Sequence, residues 1–229
     1  MEKLVQGIHR FQAEYFRPRH ELFERLTTGQ NPQALFITCS DSRVMPDLIT
    51  QSEPGDLFVL RNAGNLIPPH NAGRESGEAA TIEYAIKSLK IRDVIVCGHT
   101  LCGAMKGLLE PEALADMPRM RQWLGHAEAT REIIATSYQL PDPTAVWKAT
   151  VEENVLVQLE NLRTHPCVAA ALSRGDVKLH GWVYKLETGQ VFEFDPPSGQ
   201  FVSINGRPRA VGPVPRQRRA PADGAVAAQ

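Results

Sequence analysis

Two short runs in this chain gather residue types that bind metals and handle protons. Cys39-Ser40-Asp41-Ser42-Arg43 offers a thiol, a carboxylate and a guanidinium, and Cys97-Gly98-His99-Thr100-Leu101-Cys102-Gly103 adds two thiols and an imidazole. Zinc accepts thiolate sulfur at about 2.3 Å and imidazole nitrogen at about 2.0–2.1 Å, and three protein ligands leave a fourth tetrahedral position for water. Cys39, His99 and Cys102 form such a set, and an open position implies catalysis. A structural zinc would want a fourth protein ligand, for which Cys97 is the nearby candidate. Alternation along 94–97 turns Cys97 into a sheet face, where a cysteine packs as a small hydrophobe. Cys167, after His165 and Pro166 at a helix start, is read the same way. His-x-x-Cys alone is a weak signal, so the argument needs both runs at one place in the fold.

The elements that must position them follow from apolar spacing. Short apolar runs at 34–37, 57–60 and 94–96 read as buried strands. Between the second and third, Ala79, Ile82, Ala85, Ile86 and Leu89 share one helical face, which makes a strand, helix, strand unit and hence a parallel sheet. Both motif runs then sit at carboxyl ends of parallel strands, where open α/β sheets bind ligands. Gly98 and Gly103 are expected to permit the turn into a following helix. Leu4, Ile8, Phe11 and Tyr15 mark an amphipathic N-terminal helix, and Pro18 fits the first turn of a second one. Downstream, residues 118–138 and 144–162 read as two long helices. Residues 177–184 and 190–194 alternate across Glu187-Thr188-Gly189, so the sheet should end in an antiparallel hairpin. The expected fold class is α/β: a central, mostly parallel sheet with an antiparallel edge hairpin, flanked by helices. One domain over 1–206, with an N-terminal helical arm, precedes a tail at 207–229 whose five Arg, several Pro and Ala, and lack of aromatics predict disorder.

Composition narrows the partners. Of 229 residues, 25 are Lys or Arg and 26 Asp or Glu, so the formal charge of -1 provides no field to draw nucleic acid or an acidic membrane. The N-terminus lacks a signal peptide and no apolar run spans a bilayer, so the expected location is the cytoplasm. Four cysteines in a reducing compartment read as thiols or ligands before disulfides. Two other searches give nothing: Ala104-Met105 stands where a phosphate loop needs Lys and Ser or Thr, and no Gly-x-Ser-x-Gly occurs.

Cys39-Ser-Asp41-Ser-Arg43, Arg61-Asn-Ala-Gly-Asn65 and His99-Thr-Leu-Cys102-Gly103 together resemble the three signature blocks of the beta-class carbonic anhydrases, in the same order. The resemblance extends over roughly 4–201, and Cys102-Gly-Ala-Met-Lys-Gly107 with Asp116-Met-Pro118 is most similar to the cyanobacterial carboxysomal branch. It does not cover the tail, whose composition differs from the carboxysomal extension, so carboxysome association is not supported there.

The resemblance implies Zn²⁺ as cofactor and reversible hydration of carbon dioxide to bicarbonate. Two thiolates cancel the charge of the ion, so its water should be less acidic than at a three-histidine site. In the family Asp41 accepts the proton of the zinc-bound water or hydroxide and aims a lone pair at the substrate, while Arg43 fixes Asp41. The other reading of Asp41 and Arg43 is a surface ion pair of little value, which their place two residues beyond a metal-ligating Cys disfavours. Gln30 resembles the glutamine that hydrogen-bonds substrate, Phe58 and Tyr84 the aromatic wall from a neighbouring subunit, and the Gly64 N–H a second donor to substrate. A homodimer or higher even oligomer is therefore expected. His70 is a candidate proton shuttle, and the other histidines outside the ligand set read as exposed or satisfied. Family members that bicarbonate switches off carry tryptophan where this chain has Phe36, so an accessible site with Asp41 on Arg43 is expected. Two alternatives stay open on the residues: a hydrolase of carbon disulfide or carbonyl sulfide on the same scaffold, and a non-catalytic zinc scaffold or sensor.

Overall fold

The structure, a computed structural model, describes residues 1–70 and 76–204, and the tail at 207–229 lies outside them. Six strands, β1 (Ala34–Cys39), β2 (Leu57–Asn62), β3 (Asp93–His99), β4 (Lys178–Tyr184), β5 (Val191–Asp195) and β6 (Gln200–Ser203), form one sheet in the order β2-β1-β3-β4-β5-β6. The first four run parallel, and β5 and β6 continue antiparallel. The expected hairpin is thus present and gains a third strand, β6, whose four residues are too few to show a period in sequence. All six residues of β1 are buried, because both faces of the sheet are covered there. Leu35, Ile37 and Cys39 enter the main core with Val96, Val155 and Leu159, while Ala34 and Phe36 pack with Ile95 and Cys97 on the opposite face.

The helices explain their own boundaries. α1 (Glu2–Arg10) buries no residue and leaves Leu4, Val5 and Ile8 exposed, then runs through a π-helical turn at Phe11–Phe16 towards α2 (His20–Leu26). α3 (Pro46–Thr50) lies between β1 and β2. α4 (Gly77–Lys87) starts where the Ser76 hydroxyl accepts the Ala79 N–H, and it makes the crossover to β3. α5 (Gly103–Leu109) leaves β3 directly. The helix expected over 118–138 is instead two, α6 (Pro118–Leu124) and α7 (Glu128–Ser137), joined by a 3-10 turn at Gly125–Ala127. Glycine costs a helix about 1 kcal/mol relative to alanine, and the break lets Leu124 and Ala127 both face inward. One long helix therefore follows the second motif: α8 (Pro143–Thr164), capped by the Asp142 carboxylate on the Ala145 N–H. α9 (Pro166–Ser173) closes the helical set.

From β1 the chain steps to β2 on one side, then crosses to β3 on the other. The carboxyl ends of β1 and β3 flank that reversal, which opens a crevice at a fixed place in doubly wound sheets.

Candidate metal centre

Cys39 ends β1, His99 ends β3 in the neighbouring position, and Cys102 is the residue before α5. Leu101 makes the intervening turn in the left-handed region, at φ 58°. This corrects the expectation for Gly98 and Gly103, neither of which has positive φ. Gly98 is needed for another reason: a Cβ there would lie 2.8 Å from Val155 Cγ2 on α8.

The ligand atoms of Cys39, His99 and Cys102 lie within 4.8 Å of one another, and the two sulfurs are 4.0 Å apart. A tetrahedral ion with bonds of about 2.3 Å would hold two sulfurs roughly 3.8 Å apart, so the cluster fits a metal without rearrangement. His99 Nδ1 lies 2.9 Å from the Thr100 carbonyl oxygen, which can only accept, so Nδ1 carries the proton and Nε2 the lone pair. His99 Nε2 is buried without a hydrogen-bond partner in the structure. A buried acceptor left unpaired is costly, and a cation removes that cost.

The thiols point the same way. Hydrogen bonding from the Cys102 thiol, with that from the Gly64 N–H, outweighs burial and lowers the Cys39 pKa. Cys102, hydrogen-bonded to Cys39 and buried beside it, is pushed up. Two sulfurs this close in an apolar surround ionise together only around a cation. Among the described residues, this is the one cluster of three such ligands that could hold a metal.

Asp41 sits at the rim of this cluster, its Oδ2 3.8 Å from His99 Nε2. Arg43 donates to it three times: from Nε to Oδ1 at 2.9 Å, from Nη2 to Oδ2 at 2.7 Å and from its backbone N–H to Oδ1 at 3.0 Å. The side-chain bonds from Arg43 hold Asp41 well below the usual carboxylate range. Arg43 Nη2 also donates to the Leu101 carbonyl at 3.1 Å, which ties the acid to the turn between the other two ligands. The expected accessible arrangement, with Asp41 on Arg43, is the one present. Phe36 is fully buried on the far face of the sheet, edge-on to Trp182 at 5.9 Å between ring centres.

Cys97 lies on that far face too, fully buried, with burial raising it to about 12. Cys167 is partly buried against the main core and likewise raised by burial. The histidines outside the cluster include two with clear partners: His180 has both ring nitrogens on carboxylates, Asp93 at 2.8 Å and Glu193 at 3.0 Å, and His165 Nε2 lies 3.0 Å from the Pro68 carbonyl. His70 is exposed and rests its ring near that of His165.

The expected substrate residues divide. Gly64, at φ +82°, is buried beside the cluster, but its N–H donates to Cys39 Sγ at 3.4 Å. Phe58 pairs in register with Leu35, four residues before Cys39, or about 13 Å along the strand. Tyr84 packs its ring 6.0 Å from that of Phe58, and Gln30 is exposed on the loop entering β1. These three therefore stand towards the amino ends of the strands, away from this chain's own cluster.

Arg61 was quoted from sequence only as the start of a signature block, and Thr100, Trp147, Asn154, Gln158 and Asn161 were given no role there. Arg61 donates from Nε to the Cys39 carbonyl at 3.1 Å and from Nη2 to the Asp41 carbonyl at 2.8 Å. Thr100 donates to Glu187 at 2.6 Å and so anchors the His99 loop to the β4–β5 turn. Trp147 Nε1 donates to the Cys102 carbonyl at 3.0 Å. On α8, Asn154, Gln158 and Asn161 form a polar stripe against the loop after β2, where they bond Gly64 and Ile67. The spacing of that stripe, polar residues among Val151, Val155, Leu159 and Leu162, was the signal available.

An open α/β sheet that brings Cys, His and Cys together at its carboxyl edge in a cluster able to hold a metal, with an arginine-held acid beside it, is an arrangement suited to a metal enzyme that activates water. A family model described as "Carbonic anhydrase" matches residues 34–191. The carbonic anhydrase of Synechocystis is 48% identical over 93% of this chain and 78% of its own length, and that of Pseudomonas aeruginosa 46% identical over 95% and 99%. Among solved structures, the beta-carbonic anhydrase CcaA superposes with a TM-score of 0.86 at 48% identity, covering 89% of this chain and 98% of that one. A Coccomyxa beta-carbonic anhydrase in complex with acetazolamide superposes at 0.72 with 31% identity, over 82% and 83%. The chain belongs to the carbonic anhydrase family, in its beta class, and catalyses the reversible hydration of carbon dioxide to bicarbonate.

Proposed function

We propose that Cys39, His99 and Cys102 hold Zn²⁺ and that Asp41 and Arg43 orient the nucleophile. The observation that carries this reading is the buried, unpartnered His99 Nε2 facing two sulfurs, with the Asp41 carboxylate 3.8 Å away. Zinc held there would acidify a water at its fourth position, the chemistry the nucleophile needs. Asp41 presents a carboxylate that only accepts, so the nucleophile donates its hydrogen to Asp41 and turns a lone pair to the substrate carbon. Arg43 occupies both oxygens of Asp41 and keeps it from swinging inward to the metal. Water adds across one C=O of carbon dioxide, and bicarbonate and a proton leave.

The placement of Gln30, Phe58 and Tyr84 supports a pocket completed by a second copy, with those residues facing the neighbour's metal. β2 is an edge strand with Val59 exposed, α1 offers an uncovered apolar face, and Tyr84 is half exposed. A homodimer or higher even oligomer follows. Two solved Sordaria macrospora beta-carbonic anhydrases at 26% identity are described as tetrameric. None of this chain's four cysteines is in a disulfide, which suits a reducing cytoplasm, and no helix among the described residues is long and apolar enough to cross a membrane. The relatives' names favour this reading over carbon disulfide or carbonyl sulfide hydrolysis and over a non-catalytic role.

Metal analysis with stopped-flow hydration of carbon dioxide tests it on the purified chain and on Asp41→Asn. The expected result is one zinc per chain in both, with turnover lower by about 10²-fold or more in the variant. Full turnover in Asp41→Asn, or zinc absent from an active chain, would refute the assignment. With Asp41 held on Arg43, activity at low pH should not collapse cooperatively as bicarbonate is raised.

A further inference from the structure

Gly64 donates its N–H to Cys39 Sγ, and both peptides that flank its Cα are held from outside the loop. The peptide that carries this N–H has the Ala63 carbonyl at its other end, and Trp123 Nε1 donates to that carbonyl at 2.8 Å. The next peptide carries the Gly64 carbonyl, which accepts from Asn154 Nδ2 at 3.0 Å. Asn154 is 1% exposed, and its own Oδ1 accepts from Gln158 Nε2 at 3.0 Å and Thr130 Oγ1 at 3.4 Å. Gln158 is fully buried, and its Oε1 accepts from the Ile67 N–H at 2.7 Å. A buried amide pair on α8 thus braces the loop after β2 at Gly64 and Ile67, and the Gly64 N–H of that loop lies on a sulfur of the Cys39, His99, Cys102 cluster.

The arrangement is stiff. A residue at φ +82° keeps its N–H on a target only if the planes on both sides are fixed, and a Cβ at Gly64 would meet Ala104 Cβ at 3.1 Å and Met105 Cε at 3.2 Å. Donation to the Ala63 carbonyl also polarises the same peptide, which strengthens the N–H at its far end. A hydrogen bond to a ligating thiolate withdraws electron density that would otherwise neutralise the metal. Two thiolates leave the ion with little net charge, so this correction acts where it matters.

We propose that Trp123 and Asn154 are positioning residues for Cys39: by fixing the two peptides around Gly64 they aim its N–H at the sulfur and weaken thiolate donation to the bound metal. This rests on the reading that Cys39 ligates a metal. The test substitutes Co²⁺ in the full-length wild type, Trp123→Phe, Asn154→Ser and the double variant, and records the thiolate-to-cobalt charge-transfer band. Freed of its hydrogen bond, the sulfur holds its electrons less tightly, so the band should move to longer wavelength in each single variant. The double variant should shift less than the sum, because both act on one bond. A band at the wild-type position in a variant that binds one cobalt overturns the inference. A wild type with no such band refutes the metal assignment itself, which keeps the two failures apart. Should the variants not fold, the native chain loaded with ¹¹³Cd gives the answer: the Gly64 amide proton should show scalar coupling to cadmium through the sulfur, and no coupling at that resolved resonance overturns the inference.

Discussion

Replacing Gly98 by alanine puts a methyl carbon 2.8 Å from Val155 Cγ2 and 3.2 Å from Val151 Cγ1. Carbon atoms rest at about 3.5–4.0 Å, so α8 must retreat by roughly 0.7–1.2 Å or β3 must bend at the residue before His99. Overpacking of this kind costs about 1–3 kcal/mol, and in a chain of this size each kcal/mol lowers the melting temperature by about 2–4 °C. The expected loss is therefore about 2–12 °C by calorimetry. Because the contact is specific, Val155→Ala should relieve it, and the double variant should be more stable than the sum of the single losses by at least about 0.5 kcal/mol. Additive losses, or a Gly98→Ala chain that melts with the wild type, would refute the claim that this glycine exists to let α8 close on the sheet. Asn154 neighbours Val155 and bonds the Gly64 carbonyl, so a retreating helix should also raise metal loss to a competing chelator.

Cys97→Ala should keep one zinc per chain and near-normal hydration, since Cys97 faces away from the cluster among Phe36 and Ile95; a stoichiometric loss of zinc would make it a ligand after all. Chelation should lower the melting temperature by several degrees, because Cys39 and Cys102, 4.0 Å apart, lose the cation that lets both ionise; an unchanged melt would argue against a built site. Burial lowers the pKa of His165 below its ordinary value, so the folded state favours the neutral ring. The stability this supplies is full above about pH 6.5, and it is lost as pH falls through the lower folded value. His165→Asn should flatten the stability profile below about pH 6.5, and an unchanged slope by denaturant titration would disprove the assignment.

Much of this could be read without a structure because it rests on local chemistry. β1, β2 and β3 announced themselves as short apolar runs: in β1 and β3 burial on both faces removes alternation and leaves only hydrophobicity, while β2 is a half-buried edge strand. Cys39, His99 and Cys102 were legible because few residue types bind a soft divalent ion, and the turns after two parallel strands are where such residues meet. The break at Gly125 and the strand β6 were not legible: a helical period continues through a single glycine, and four residues carry too little pattern. Gly98 was misread for the same reason, since a sequence cannot say whether a missing side chain serves the backbone's own angle or a neighbour's approach.

What tertiary structure alone decided is distance across the chain. Asn154 and Gly64 are 90 residues apart, and Trp123 and Ala63 60 apart, so no local pattern could pair them. Only packing of α8 against the sheet, and of α6 against α5, brings their donors to the loop that serves Cys39. The same holds for Gln30, Phe58 and Tyr84, whose side chains were named from the sequence but whose remoteness from this chain's own sulfurs emerged only when the strands acquired direction and register. Residue types set which chemistry was available, and the folded geometry set which atoms share it, because hydrogen bonds and coordination reach only about 3 Å.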